Sequence, residues 1–184
     1  MPDLVNLPLF LVAAIVLLLI PGPAVLYIIA RSLEQGRRAG LVSVLSIEVG
    51  NFMHVLAATL GLSALLLSSA LAFTLVKYLG AAYLIYLGLR TLLTHAAASP
   101  TGPLPRQSLR RIFAQGVLVA TLNPKTALFF VAFLPQFVDP SRGAVTEQLF
   151  VLGSLFVMLA IVSDSLYALL AGTVGDSVRI ISRN

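Results

Sequence analysis

The sequence predicts an all-α, polytopic membrane protein of about five transmembrane helices, the length set by about 20 residues per span. Three observations carry this. Of 184 residues, 59% are hydrophobic and only 10% charged, and the mean hydropathy is +1.00, more apolar than a soluble surface can cover. The apolar residues fall in long runs, and the basic residues gather in alternate separators between them. The spans use up the chain, so residues 1–184 form one membrane domain with no separate soluble one. The net charge of +5 comes from arginines in short loops, with no basic stripe for nucleic acid. With no cysteine, disulfides, thiolate metal sites and cysteine nucleophiles are excluded.

The first run, Leu7 to Ala30, follows MPDLVNLP, which carries Asp3 and no Lys or Arg. No small-residue cleavage site ends a short apolar region, so it reads as a retained span rather than a signal peptide. Further runs lie at Leu41 to Leu67, Leu71 to Leu93, Ile112 to Val138 and Gln148 to Leu170. Arg31, Arg37 and Arg38 fall in the first separator, Arg90, Arg106, Arg110 and Arg111 flank the third, and Arg179 and Arg183 follow the fifth span. The positive-inside rule then puts the first and third loops and the C-terminus in the cytoplasm, with the N-terminus outside.

Two spans are interrupted. Pro21-Gly22-Pro23 breaks the first and Asn123-Pro124-Lys125 the fourth. Gly22 and Asn123 suit an N-cap, and Pro23 and Pro124 suit the first helical position, where the missing N–H is harmless. Residues before proline leave the α region, which frees backbone groups at depth. Such groups are tolerated only in protein or against a watery cavity, and the end of a half-helix, with about +0.5 charge, attracts an anion such as a carboxylate. Three helices separate the breaks, so the second enters from the opposite side. This is the pattern of an inverted repeat, with copies at about 1–95 and 110–184. The alternative is a pair of ordinary proline kinks.

Ionisable residues inside spans are Glu48, His54, Lys77, Lys125 and Asp164. Their burial cost sends them toward the bundle interior and toward partners. Glu48, Asn51 and His54 recur at steps of three and share a broad polar face. Lys77, near a span's start, can instead snorkel, and Glu48 and Asp164 can form structural ion pairs with bases.

PGPAVLYIIARSLEQGRRAGL, VGNFMHVLAATLGLSALL, KYLGAAYLIYLGLR, LVATLNPKTALFFVAFLPQFVD and DSLYALLAG together resemble the LysE/RhtB family of amino-acid exporters. The resemblance implies a secondary transporter of the bacterial inner membrane, exporting an amino acid or related small zwitterion by proton antiport. It implies no cofactor and no enzyme activity. The sequence departs from the family at two places. Asn51 stands where an acidic residue is common three positions before the histidine, with Glu48 one turn earlier. The family's usual sixth helix is absent after GDSVRIISRN, which leaves a truncated product, or a subunit completed by another copy and inactive alone, as the rival expectation.

On this reading, Pro21, Gly22, Pro23, Asn123, Pro124 and Lys125 bind the substrate carboxylate, and Glu48, Asn51, His54 and Asp164 bind its ammonium or couple protons. An intramembrane enzyme or metal site on Glu48, His54 and Asp164 is the competing class, unsupported by any HExxH or GxSxG motif. Gly50, Gly61, Gly80 and Gly88 permit close helix contacts, within one chain or in a homo-oligomer.

Overall fold

The computed structural model describes residues 7–68, the positions 71, 74, 75, 78 and 82, and residues 106–181. Most of the third expected span, with Lys77, and the third loop up to residue 105 lie outside the described residues. No strand occurs among those described. The helices are α1 (Leu7–Leu19), α2 (Pro23–Gln35), α3 (Arg37–Ser68), α4 (Leu109–Thr121), α5 (Pro124–Leu128) and α6 (Val145–Ile181). After α5 the chain continues as a π-helical turn, Phe129–Phe133, and a 3-10 turn, Leu134–Phe137, with a further 3-10 turn at Pro140–Arg142.

Within α3, Arg37–Leu62 is long and apolar enough to cross a membrane, and so is Val145–Asp176 of α6. Leu7–Leu19 with Pro23–Gln35, and Leu109–Thr121 with Pro124–Phe137, qualify as pairs, bent by 51° and 43° at their breaks. Leu9, Leu45, Leu60, Leu118, Met158 and Leu170 lie exposed on these helices. So many large apolar side chains facing outward suit lipid, not water.

The first separator differs from its expected form. It is no ten-residue loop: α2 runs to Gln35, α3 begins at Arg37, and Gly36 alone turns the chain. Gly36 has φ 84°, a left-handed conformation that favours glycine, and its N–H donates to Ser32 O at 2.9 Å. Arg31, expected among the loop charges, is inside α2 and buried. Its guanidinium pairs with Glu34 at 3.2 Å, lies 5.4 Å from the Tyr27 ring centroid and donates to Gln115 Oε1 at 3.5 Å. The i,i+3 acid and the aromatic face replace the water this charge gives up. Arg37 and Arg38 remain exposed.

The chain divides into two compact units, each drawing on both halves of the sequence: Met1–Ala14, Phe52–Thr101 and Pro124–Phe156 in the first, and Ile15–Asn51, Gly102–Asn123 and Val157–Asn184 in the second.

The first unit is built on phenylalanines. Phe129 stacks on Phe156 with centroids 4.5 Å apart, Phe130 meets the Phe156 ring edge-on at 5.3 Å, and Phe10 meets Phe137 edge-on, also at 5.3 Å. Such pairs add about 0.5–1.5 kcal/mol each beyond the area they bury. The turn before α6 is held by Gln148, whose side chain is wholly buried. Its Oε1 accepts from Asp139 N at 3.0 Å, and its Nε2 donates to Asp139 O at 2.9 Å and Gly143 O at 2.7 Å. Gln148→Leu strands all three backbone groups, at about 1–3 kcal/mol for each left unsatisfied. The expected result is a lower unfolding midpoint, with faster amide exchange at 139–143. In the same turn, Asp139 accepts from the Ser141 hydroxyl and N–H at 2.6 and 2.9 Å, with Arg142 at 3.3 Å. These donors, Ser141 first, hold its carboxyl below the usual aspartate value. Their support is therefore full above that value and fades as pH falls through the lowered one.

The second unit packs Ala24 and Ile28 of α2, Val44 and Ile47 of α3, Ala120 of α4 and Ala168 of α6 into one core. The Tyr27 hydroxyl donates to Ile112 O at 2.7 Å, tying α2 to α4. Close approach here depends on glycine. A Cβ at Gly175 would lie 2.5 Å from the Leu33 carbonyl oxygen, and one at Gly50 would collide with the Ala120 methyl.

Candidate functional site

Gly22 is the N-cap of α2, in extended conformation (φ −117°, ψ −174°), and Pro23 follows at the first helical position. The Leu26 N–H donates to Gly22 O at 2.9 Å as the first bond of the helix. Ala24 and Val25, both buried, thus carry N–H groups in the first turn, where a helix offers no acceptor of its own. Pro21 and Pro23 are exposed and Gly22 is half-buried.

At the second break, Leu122 N–H donates to Leu118 O and Asn123 N–H to Ala120 O, both at 3.0 Å, which closes the end of α4. Asn123 is buried and belongs to the second unit. Pro124, exposed, and Lys125, half-buried, open α5 in the first unit.

Three side chains of the second unit then meet. Glu48, Asn51 and Asp164 are 6%, 5% and 3% exposed. Asn51 Nδ2 donates to Glu48 Oε2 at 3.1 Å, and the Glu48 carboxyl lies within hydrogen-bonding reach of that of Asp164. Glu48 Oε1 and Asn51 Oδ1 are buried without a donor. The packing explains the meeting. Glu48 follows the core residue Ile47, Asp164 lies one turn before Ala168, Asn123 three residues after Ala120, and Gly22 two before Ala24. The start of α2, the end of α4 and the acidic cluster therefore sit toward the same end of this core.

Two carboxylates only accept, so a hydrogen bond between them needs a proton on one, and full ionisation needs a cation beside them. An ionisable group facing Glu48 is thus another acid, Asp164. No group of three or more His, Cys, Asp or Glu side chains able to hold a metal occurs among the described residues. Buried acceptor oxygens of this kind suit a proton or an ammonium group.

His54 is placed elsewhere. It lies in the first unit, half-buried, its ring stacked on Phe130 with centroids 6.1 Å apart and planes 13° from parallel. The i,i+3 step joins Glu48 to Asn51, and the next step leads to a phenylalanine.

Sequence reasoning grouped Gly50 with other glycines that permit close helix contacts but missed which contact it makes: it lies between Glu48 and Asn51 and brings α3 against α4. A glycine inside an otherwise apolar helix, beside two buried polar residues, was the available signal. It also missed the π-helical turn after α5, for which the run FFVAF carries no sequence mark.

Comparison with known proteins agrees with this architecture. An uncharacterized membrane protein of Vibrio cholerae serotype O1 is 34% identical over 92% of this chain and 82% of its own length. A leucine efflux protein of Salmonella typhimurium is 30% identical over 79% of this chain and 69% of its own length. A homoserine/homoserine lactone efflux protein of the same organism is 31% identical over 88% of this chain and 78% of its own length. No solved structure matches. The LysE type translocator family matches residues 15–181, and with that coverage, broken apolar helices and relatives at this identity, the chain belongs to that family.

Proposed function

We propose that this membrane protein exports an amino acid, in exchange for protons, across a bacterial inner membrane. The observation that carries the reading is the buried Glu48–Asp164 carboxyl pair beside Asn51, at the same end of the core as the broken start of α2. The relatives named for leucine and homoserine efflux make amino acids the substrate class.

The substrate ammonium donates to oxygens of Glu48, Asn51 and Asp164. Its carboxylate meets the first-turn N–H groups that follow Gly22, where the helix dipole favours an anion. Pro21 and Pro23 keep that turn open, and Asn123 ends α4 at the same level. When the ammonium leaves, a proton replaces it between the two carboxyls. Each export cycle thereby takes up a proton, because both cations compete for the same oxygens. Pro124 and Lys125 start the second half-helix, and Lys125 adds positive charge that favours an anionic group. Alternation of access comes from rocking of the inverted repeats at about 1–95 and 110–184.

The exposed Arg37, Arg38, Arg106, Arg110 and Arg111 support a cytoplasmic first loop, with the N-terminus outside and the C-terminus inside. Because the chain has no cysteine, single introduced cysteines at these positions report sidedness by labelling with an impermeant maleimide.

Export is tested with the purified chain in proteoliposomes preloaded with labelled leucine or homoserine, under an imposed proton gradient. The expected result is gradient-driven efflux that falls in an Asn123→Ala, Lys125→Ala double variant. Absence of flux from a correctly inserted wild-type chain overturns the reading.

A further inference from the structure

In the second unit, α3 and α4 run side by side in the same direction. A Cβ at Gly50 would collide with the Ala120 methyl, and one at Gly116 with the Ser46 side chain. Both facing pairs are 70 positions apart, so the same pairing, carried about two turns back, brings Arg37 and Arg38 level with Gln107 and Ser108. The Gln107 N–H donates to Gln35 Oε1 at 2.9 Å and holds the two helix starts together. Five exposed arginines therefore gather at one end of this unit: Arg37 and Arg38 from α3, and Arg106, Arg110 and Arg111 around the start of α4. Asp176 lies 4.0 Å from Arg37, and Glu34 is taken up by the buried Arg31 at 3.2 Å. Among the described residues, no acid pairs with Arg38, Arg106, Arg110 or Arg111.

Apolar side chains continue along the helices from these arginines. Arg38, Leu41 and Leu45 follow at i, i+3 and i+7 on α3, and Arg110 and Phe113 at i and i+3 on α4, so each set shares a helix face. Leu41, Leu45 and Phe113 are all exposed. We propose that the paired starts of α3 and α4 bind an anionic phospholipid, its phosphodiester on the arginines and its acyl chains along Leu41, Leu45 and Phe113. A guanidinium grips a phosphate through two parallel N–H groups, and basic recesses between spanning helices select acidic head groups. Scattered loop charges suffice to orient a chain in the membrane. They do not require two helix starts held at one level, with apolar faces leading away from them. The site is independent of the transported substrate.

The experiment adds phosphatidylglycerol or phosphatidylcholine to the purified full chain in detergent, counts bound lipid by native mass spectrometry and follows the unfolding midpoint. Phosphatidylglycerol binds the wild type at least about tenfold more tightly than phosphatidylcholine and raises the midpoint. Arg38→Gln with Arg111→Gln removes most of that preference, leaving the two lipids within about twofold of each other. Arg37→Gln with Arg106→Gln gives the same result by a second route should the first pair not insert or fold. Arg142→Gln, which takes a cation from the turn before α6, leaves the preference unchanged.

Equal binding of the two lipids by the wild type overturns the proposal, and so does a preference that survives in a folded double variant. An equal loss in Arg142→Gln makes the preference a matter of net charge and also overturns it. Glycerol phosphate binding as tightly as phosphatidylglycerol assigns the arginines to a soluble phosphate and overturns the lipid assignment.

Discussion

On the proposed proton-exchange reading, Glu48→Gln and Asp164→Asn are each expected to abolish export while leaving the chain folded. Both substitutions keep shape and remove a charge. In the wild type the two carboxyls are neighbours and nearly wholly buried, and on that reading the empty site takes a proton between them. An amide in place of either carboxyl donates its own hydrogen, and the proton is no longer required. The ammonium then meets one carboxylate instead of two. Truncating one member of a buried charge pair costs about 2–5 kcal/mol, which corresponds to a loss of roughly 30-fold to several thousand-fold in binding. Efflux from proteoliposomes should fall to the level of empty vesicles and lose its response to an imposed pH difference. The unfolding midpoint should hold or rise, because the amide donates a hydrogen bond to the remaining carboxylate and ends the opposition of two like charges. Gradient-driven efflux retained by both variants would show that coupling lies elsewhere.

Gly50→Val is expected to have the largest structural effect. A Cβ at Gly50 collides with the Ala120 methyl and lies 3.0 Å from the Val117 carbonyl oxygen and 3.1 Å from Thr121 N. Two of these three obstacles are backbone, so no rotamer change relieves them and α4 must move off α3. Overpacking of this kind costs about 1–3 kcal/mol. It also disturbs the neighbouring Glu48 and Asn51 and the α4 end at Asn123, so export should fall together with stability. Gly61→Ala is the matched control. It adds a Cβ in open space and should change stability by no more than about 0.5 kcal/mol. Equal stability of the two variants by thermal unfolding would show that the α3–α4 contact is not tight.

The two breaks were legible because proline chemistry is local. A missing N–H and a fixed φ restart a helix whatever surrounds it, and α2 begins at Pro23 and α5 at Pro124 as the residues require. Arg31 was misplaced because charge was taken as a loop marker, whereas Glu34 and Tyr27 supply what water would have given it. His54 follows Glu48 and Asn51 at the same step of three residues. That step fixes only the helix face, and the stacking of its ring on Phe130, far away in sequence, is not written in it.

The sequence by itself determined the membrane class, the helical composition, the two broken helices and the polar residues within them, because each follows from local chemistry or from the cost of exposing polar groups to hydrocarbon. Only the tertiary structure decided which polar residues meet. Glu48 lies 116 positions before Asp164, and their contact depends on Gly50 and Gly116 letting α3 and α4 approach and on α6 closing the same core. The arginines at the starts of α3 and α4 likewise come level only because the two helices pack side by side. Contacts between distant segments are set by packing, and helical periodicity carries no record of them.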